Sequence, residues 1–259
     1  MSFFHRLSNN PVRLFILSQT LLLLAFVLRD FPILIFVAIA PLFALIDHPS
    51  ALKESGLPFI VAIGTAFVFY YAMRQSMQQS SVLSWIIYFS LLAVVFAAYF
   101  LMQQWTHRLN KFALIIFILG VEYLFLKLSN ELNPVFLADL LRHKTEWTRW
   151  NTYTGYAGAT LWILVVNLLL YEALFAHNKI NWMLGTIALL IIFLPIVYSL
   201  TLTNDGITKL DVIGLYSGMG SNNARYSERG ELICRTGAWV SALIIIFTLV
   251  KGMTKKASR

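Results

Sequence analysis

The sequence is poor in the residues that cover water-facing surfaces and build most soluble catalytic sites. Asp, Glu, Lys and Arg together make up 12% of the 259 residues, whereas about a quarter of a soluble domain is charged. A single cysteine, Cys234, excludes an intrachain disulfide and any Cys-cluster metal site. Arg235 and the helix expected after it offer Cys234 a hint of an activating environment, but an inert thiol is the simpler reading. The five histidines, at 5, 48, 107, 143 and 177, are dispersed. No pair has metal-ligand spacing and no Ser-His-Asp order can be read, so neither a metal nor a cofactor is expected. Gly218-Met219-Gly220 has no strand before it, which removes the basis for a nucleotide-binding loop. Internal repeats and low-complexity segments are also missing.

Hydrophobic residues, by contrast, make up 59% of the chain. This composition predicts an integral membrane protein with one membrane domain. The apolar runs are continuous rather than alternating, which favours helices over barrel strands. A spanning helix needs roughly 17–25 mostly apolar residues. Runs of this kind fall at about 12–28, 31–47, 57–75, 83–105, 111–128, 157–176, 181–201 and 236–251. The expected fold is all-α, an eight-helix transmembrane bundle with short loops. The first run is too long for a signal peptide and lacks a clear cleavage site, so it is expected to be a retained span. Pro32 suits the first turn of the second helix, whereas Pro41 and Pro195 fall inside spans and should bend them.

An even number of spans places both termini on one side. The tails carry Arg6, Arg13, Lys251, Lys255, Lys256 and Arg259, which favours the cytoplasmic side of a bacterial inner membrane. Counted over the whole chain, tails included, lysine and arginine divide evenly across the expected topology, so the tails carry this vote. The formal charge of +8 comes from residues scattered through loops and tails. Attraction to anionic lipid headgroups explains it more simply than nucleic-acid binding. Residues 1–201 would form seven spans, 202–235 a short extracytoplasmic loop, and 236–259 the last span with a basic, flexible tail.

The stretch WTRWNTYTGYAGATLWILVVNLLLYE, Trp147–Glu172, holds most of the candidate site residues. Trp147, Trp150, Tyr153 and Tyr156 form either an interfacial aromatic belt or the lining of an entrance for a lipid-modified ligand. Gly155 and Gly158 permit a tight turn and close helix packing. Asn167, inside the expected sixth span, reads as helix–helix glue or as a ligand contact. Glu172 lies near the end of that span and can reach the interface. Glu122 sits in the middle of the fifth span, where a bare carboxylate is costly. It should hydrogen-bond a neighbouring helix or belong to a polar cluster at a headgroup or proton site. Arg74, at the end of the third span, either touches lipid phosphates or snorkels to the interface.

These motifs, in this order, resemble the membrane domain of apolipoprotein N-acyltransferase. The second span carries IAPLFALID, similar to the family's Pro-Leu element, and the fifth carries VEYL, similar to its glutamate–aromatic pair. Between Trp147 and Asn167 the chain is similar to the family's tryptophan, Tyr-Thr-Gly, Gly-x-x-Leu-Trp and Val-Asn pattern. Tyr226, Gly230, Glu231 and Arg235 look like its Tyr-x-x-x-Gly-Asp element, with Glu231 in place of the aspartate. The resemblance covers most of the chain and implies eight spans.

The same resemblance implies a nitrilase-like domain between spans seven and eight, whose Glu-Lys-Cys triad carries an acyl chain as a thioester. Here that interval is Leu202–Arg235, 34 residues, below the roughly 40 residues at which a chain can hold its own core. Before the family-like element it has two acids, Asp205 and Asp211, one lysine, Lys209, and no cysteine. No catalytic residue carries over. The expected function is a non-catalytic membrane protein that binds phospholipid or lipoprotein acyl chains, and with them a partner. The alternative is an acyltransferase component in lipoprotein N-acylation whose catalysis comes from a separate soluble protein. A transporter is a third class, weakened because neither repeated halves nor paired broken helices are visible.

Overall fold

The computed structural model describes residues 10–28, 32–46, 90–91, 94–95, 98–99, 102, 111–128, 137–177, 179–202 and 228–257. All regular structure among these residues is helical. In chain order, α1 is Pro11–Val27, and the second apolar run gives a 3-10 turn, Pro32–Leu34, followed by α2, Ile35–Ala38, and α3, Ala40–Ile46. Then come α4, Lys111–Leu128, a 3-10 segment, Leu137–Trp147, α5, Asn151–Leu174, α6, Trp182–Thr201, and α7, Glu228–Ala257. The described residues between 90 and 102 are also helical, and bury Val95, Tyr99 and Met102 at the spacing of one helix face.

Local sequence explains several boundaries. The side chain of Asn10 accepts from the amides of Val12 and Arg13, with Pro11 in the first turn of α1. Asn181 caps α6 by accepting from Leu184 N. Gly155 has φ 65° and ψ −172°, a backbone that L side chains rarely adopt, and it kinks α5 after its first turn.

Among the described residues, three helices are long and apolar enough to cross a membrane: α5 over Ala157–Leu174, α6 over Trp182–Thr201 and α7 over Leu232–Met253. They mark the chain as a membrane protein. Two shorter apolar helical stretches cover Pro11–Ala25 and Pro32–Ile46. In the spanning window of α5, 61% of the residues are buried, against 17% in those of α6 and α7. Thus α5 is the central element, and α6 and α7 present most of their surface outward. Large apolar side chains on those outward faces include Phe193, Val197, Leu243 and Phe247. Such exposure is what a lipid solvent requires.

Several boundaries differ from the sequence expectations. The second run is interrupted at Ile39, just before Pro41, rather than merely bent. The expected loop 129–156 contains a helical segment that buries Leu137, Ala138 and Leu141. α7 begins at Glu228 and continues to Ala257, so it takes in the end of the expected loop and most of the expected flexible tail. Apolar length identifies the part of a helix in hydrocarbon; the hydrogen-bonded ladder can extend beyond it on either side. The expected span 57–75 lies outside the described residues.

Close packing of α4 on α7 relies on small residues. A Cβ on Gly120 would lie 2.9 Å from Ser241 Oγ, and one on Gly237 would lie 2.9 Å from Leu119 Cβ. Ser241 donates to Gly237 O in its own helix and to Ile116 O of α4, at 2.7 and 3.1 Å. Small residues four apart let the two backbones approach, as membrane helices commonly require.

Candidate functional site

The residues facing the two sides of α5 have different tasks. Thr160, Ile163 and Asn167 lie on one side at helical spacing, buried against α4 and the interrupted second run. Thr154, Gly158, Leu161 and Val165 lie on another and form one wall of a groove.

On the buried side, Asn167 repairs the interruption before Pro41. Proline has no amide hydrogen and its ring disturbs the preceding turn. The helical partner of Ile35 O would be Ile39 N, but the Asn167 carboxamide stands between them. Its Oδ1 accepts from Ile39 N and Ala40 N, both at 2.9 Å. Its Nδ2 donates to Ile35 O at 2.9 Å and to Ile163 O at 2.8 Å. Two donors and two acceptor sites are the full capacity of an asparagine side chain. Asn167 therefore has no polar capacity left for a ligand, and the glue reading describes its geometry. Ser18 of α1 completes the repair by donating to Ala38 O.

Glu122 is buried in α4, where Oε1 accepts from Thr160 Oγ1 at 3.1 Å and from Leu137 N at 3.4 Å. The carboxyl group thereby joins α4, α5 and the start of the 3-10 segment. Farther along, Lys111 Nζ lies 3.0 Å from Tyr171 OH and 4.2 Å from the Tyr171 ring centroid. This end of α5 is held by polar and cation–π contacts. Glu172, beside it, is half-buried.

On the other side, a groove of about 680 Å³ runs between the first part of α5, the last part of α6 and the start of α7. Trp150, Tyr153 and Tyr198 stand at one end. Leu161, Val165, Ile191 and Leu194 continue the wall, and Ile233 closes the side from α7. The lining is almost wholly apolar and the groove is open rather than sealed. Its volume lies within the roughly 300–1,000 Å³ typical of small-molecule sites.

Trp162 joins the groove to the rest of the bundle. Pro195 in α6 lacks the amide that would donate to Ile191 O. The Trp162 indole N–H donates to that carbonyl instead, at 2.7 Å. Its ring lies 4.4 Å from Phe36 and 5.5 Å from Trp150, centroid to centroid. Beside both Pro41 and Pro195, a backbone group is thus completed by a side chain of α5. Trp150 Nε1 donates to Trp147 O at 3.1 Å, and Arg149 N donates to Ser199 Oγ at 2.7 Å. These bonds fix the junction between the 3-10 segment and α5 against α6.

Of the residues singled out from sequence, Trp150 and Tyr153 line the groove, and Trp147 supports Trp150 through its carbonyl. Tyr156 belongs to α5, but its side chain lies outside the described residues, as does Arg74 altogether. Asn167 and Glu122 are not groove-lining. Gly158 serves a different purpose from the expected helix–helix contact: a Cβ there would meet Thr154 Oγ1 at 2.1 Å and Trp150 Cζ3 at 2.9 Å. The space is taken by α5's own first turn and the tryptophan before it.

Thr154, Trp162 and Tyr198 were not singled out. Pro195 held a signal for Trp162, since a proline inside a span leaves a carbonyl needing a donor. Among the described residues, no group of three or more His, Cys, Asp or Glu side chains could hold a metal ion. No family model matches the chain, nor does any curated protein or solved structure.

Proposed function

We propose that this chain is a non-catalytic, multi-pass protein of a bacterial inner membrane that holds a phospholipid acyl chain in the groove between α5, α6 and α7. The observation that carries the reading is an open apolar groove of about 680 Å³ bordered by two helices with mostly outward-facing spanning windows. Both helices are apolar enough to meet lipid directly, so a bilayer acyl chain reaches the groove sideways without crossing water. The aromatic groups at one end match the amphipathic side chains that collect near headgroups. The eight-span count and cytoplasmic termini belong to the same proposal, on the apolar runs and basic tails of the sequence.

The test uses the full chain in lipid nanodiscs with a diacyl phospholipid carrying a photoactivatable group in one acyl chain. Labelling should concentrate on peptides containing Leu161–Val165 and Ile191–Tyr198. Leu161→Trp, which fills the groove, should reduce that labelling several-fold. Labelling spread evenly over the outward faces of α6 and α7, and unchanged by Leu161→Trp, would show ordinary boundary lipid and defeat the reading.

The motif order from IAPLFALID to Val166-Asn167 favours a second reading, an acyltransferase component with catalysis supplied in trans. Incubation with phospholipid, diacylated lipopeptide and a separate nitrilase-like protein tests it. Acylation of the lipopeptide amine only when both proteins are present would support this reading.

A further inference from the structure

Among the described residues, the groove lining includes a buried polar atom that no hydrogen bond satisfies. Thr154 is among its lining residues, and Thr154 Oγ1 is buried with no hydrogen-bond partner among the described residues. The hydroxyl occupies the space over Gly158 beside the edge of the Trp150 indole. A buried hydroxyl left unpaired costs about 1–3 kcal/mol. Such a group in a native structure calls for an explanation beyond packing. Threonine in a helix divides between staggered positions. Rotation about its Cα–Cβ bond would carry the hydroxyl from the Gly158 side to the groove wall.

Position along the groove identifies what this hydroxyl would meet. From the kink at Gly155, next to Thr154, to Val165 the wall rises about 15 Å, taking about 1.5 Å per residue. That is close to half of a hydrocarbon core about 30 Å thick, or one leaflet. A chain lying along the wall with its methyl end near Val165 would bring its carboxyl end to Thr154. Trp150, Tyr153 and Tyr198 surround the same end, where interfacial aromatics belong. In a diacyl phospholipid, the group at that depth is an ester carbonyl, a hydrogen-bond acceptor with no donor of its own.

We propose that Thr154 is a specificity-determining residue: its hydroxyl donates to the acyl ester carbonyl of a phospholipid whose chain lies in the groove. Gly158 leaves room for the hydroxyl in the empty state, and Trp150 shields it from competing donors and acceptors. The inference rests on acyl-chain binding in the groove, and adds that the protein distinguishes ester-linked from ether-linked chains.

Competition tests this with the full chain in nanodiscs. Groove labelling by the photoactivatable diacyl lipid is displaced by unlabelled diacyl phosphatidylglycerol or by its dialkyl ether analogue. The diacyl lipid should compete about three- to tenfold better, the range expected of one net hydrogen bond. Thr154→Val should abolish that preference while retaining groove labelling, and Thr154→Ser should keep it. Equal competition by both lipids in the native chain, or a preference that survives in Thr154→Val, overturns the assignment. Groove labelling without ester preference overturns only this inference. Absence of groove labelling in the native chain overturns both it and the acyl-chain reading.

Discussion

Along α5, the half beyond Trp162 and the half before it are built in opposite ways. Asn167 directs its amide into the interrupted second run, and Tyr171 meets Lys111 and Phe43. Polar and aromatic contacts there close the helix against its neighbours. The earlier half turns Thr154, Gly158 and Leu161 towards a groove instead, and that groove ends beside Val165. Trp162 serves both halves, because it lines the groove while supplying a donor to α6. The contrast separates two reasons for placing a polar side chain within a membrane helix. One completes a backbone that proline has broken; the other leaves hydrogen-bonding capacity beside an apolar space.

The sharpest way to break the contrast is Asn167→Leu. It removes the partner of two buried amides and one carbonyl of the second run, while keeping the number and branching of the side-chain heavy atoms. Interhelical bonds in membranes average about 0.6 kcal/mol, with larger values near 1.7. Adding the cost of newly orphaned groups, we expect a loss of about 3 kcal/mol. Reversible unfolding in mixed micelles measures it, and a loss below about 1 kcal/mol would reduce Asn167 to a replaceable contact.

Next in size is Gly237→Leu, which forces a side chain into the α4–α7 contact at Leu119. Overpacking should cost about 1–3 kcal/mol. Thermal inactivation of the detergent-solubilised chain would report it, and an unchanged midpoint would contradict the close approach.

Trp162→Phe should cost about 1 kcal/mol through the lost donor to Ile191 O, while retaining an aromatic ring against Phe36. Pro195→Ala sharpens this test because it restores an amide four residues after Ile191. Trp162→Phe should therefore cost less in the Pro195→Ala background than alone. A double-mutant cycle reads the difference as a coupling energy, and strict additivity would argue against the repair. Thr154→Val alone should carry no loss and gain up to about 1 kcal/mol, because the buried hydroxyl it removes has no partner among the described residues. A loss of more than about 1 kcal/mol would assign Thr154 to structure.

Much of the framework was legible in the sequence. Apolar runs located α1, α4 and α6 closely, since length in hydrocarbon is a one-dimensional property. Asn167 and Glu122 stood out because polar groups at depth require partners, and both have them. The partners themselves were not legible: Asn167 bonds residues more than a hundred positions earlier in the chain. Pro41 predicted a disturbed helix but not which side chain would bridge it. The groove was hidden for a similar reason. Its walls come from three helices, and no periodicity within α5 records that α6 places Leu194 and Tyr198 beside the same space. Tryptophan and tyrosine near Trp147–Tyr156 marked an interface without distinguishing belt from lining.

By itself, the sequence determined the solvent this protein lives in and the segments that meet it, because a 12% charged, 59% hydrophobic chain must satisfy its backbone internally. Tertiary structure alone decided the use of each exceptional residue. Asn167 became part of another helix's ladder, Trp162 the donor for a proline-freed carbonyl, and Thr154 the hydroxyl beside an apolar groove. The physical reason is that hydrogen bonds and close packing join residues far apart in sequence, whereas hydropathy is summed along it.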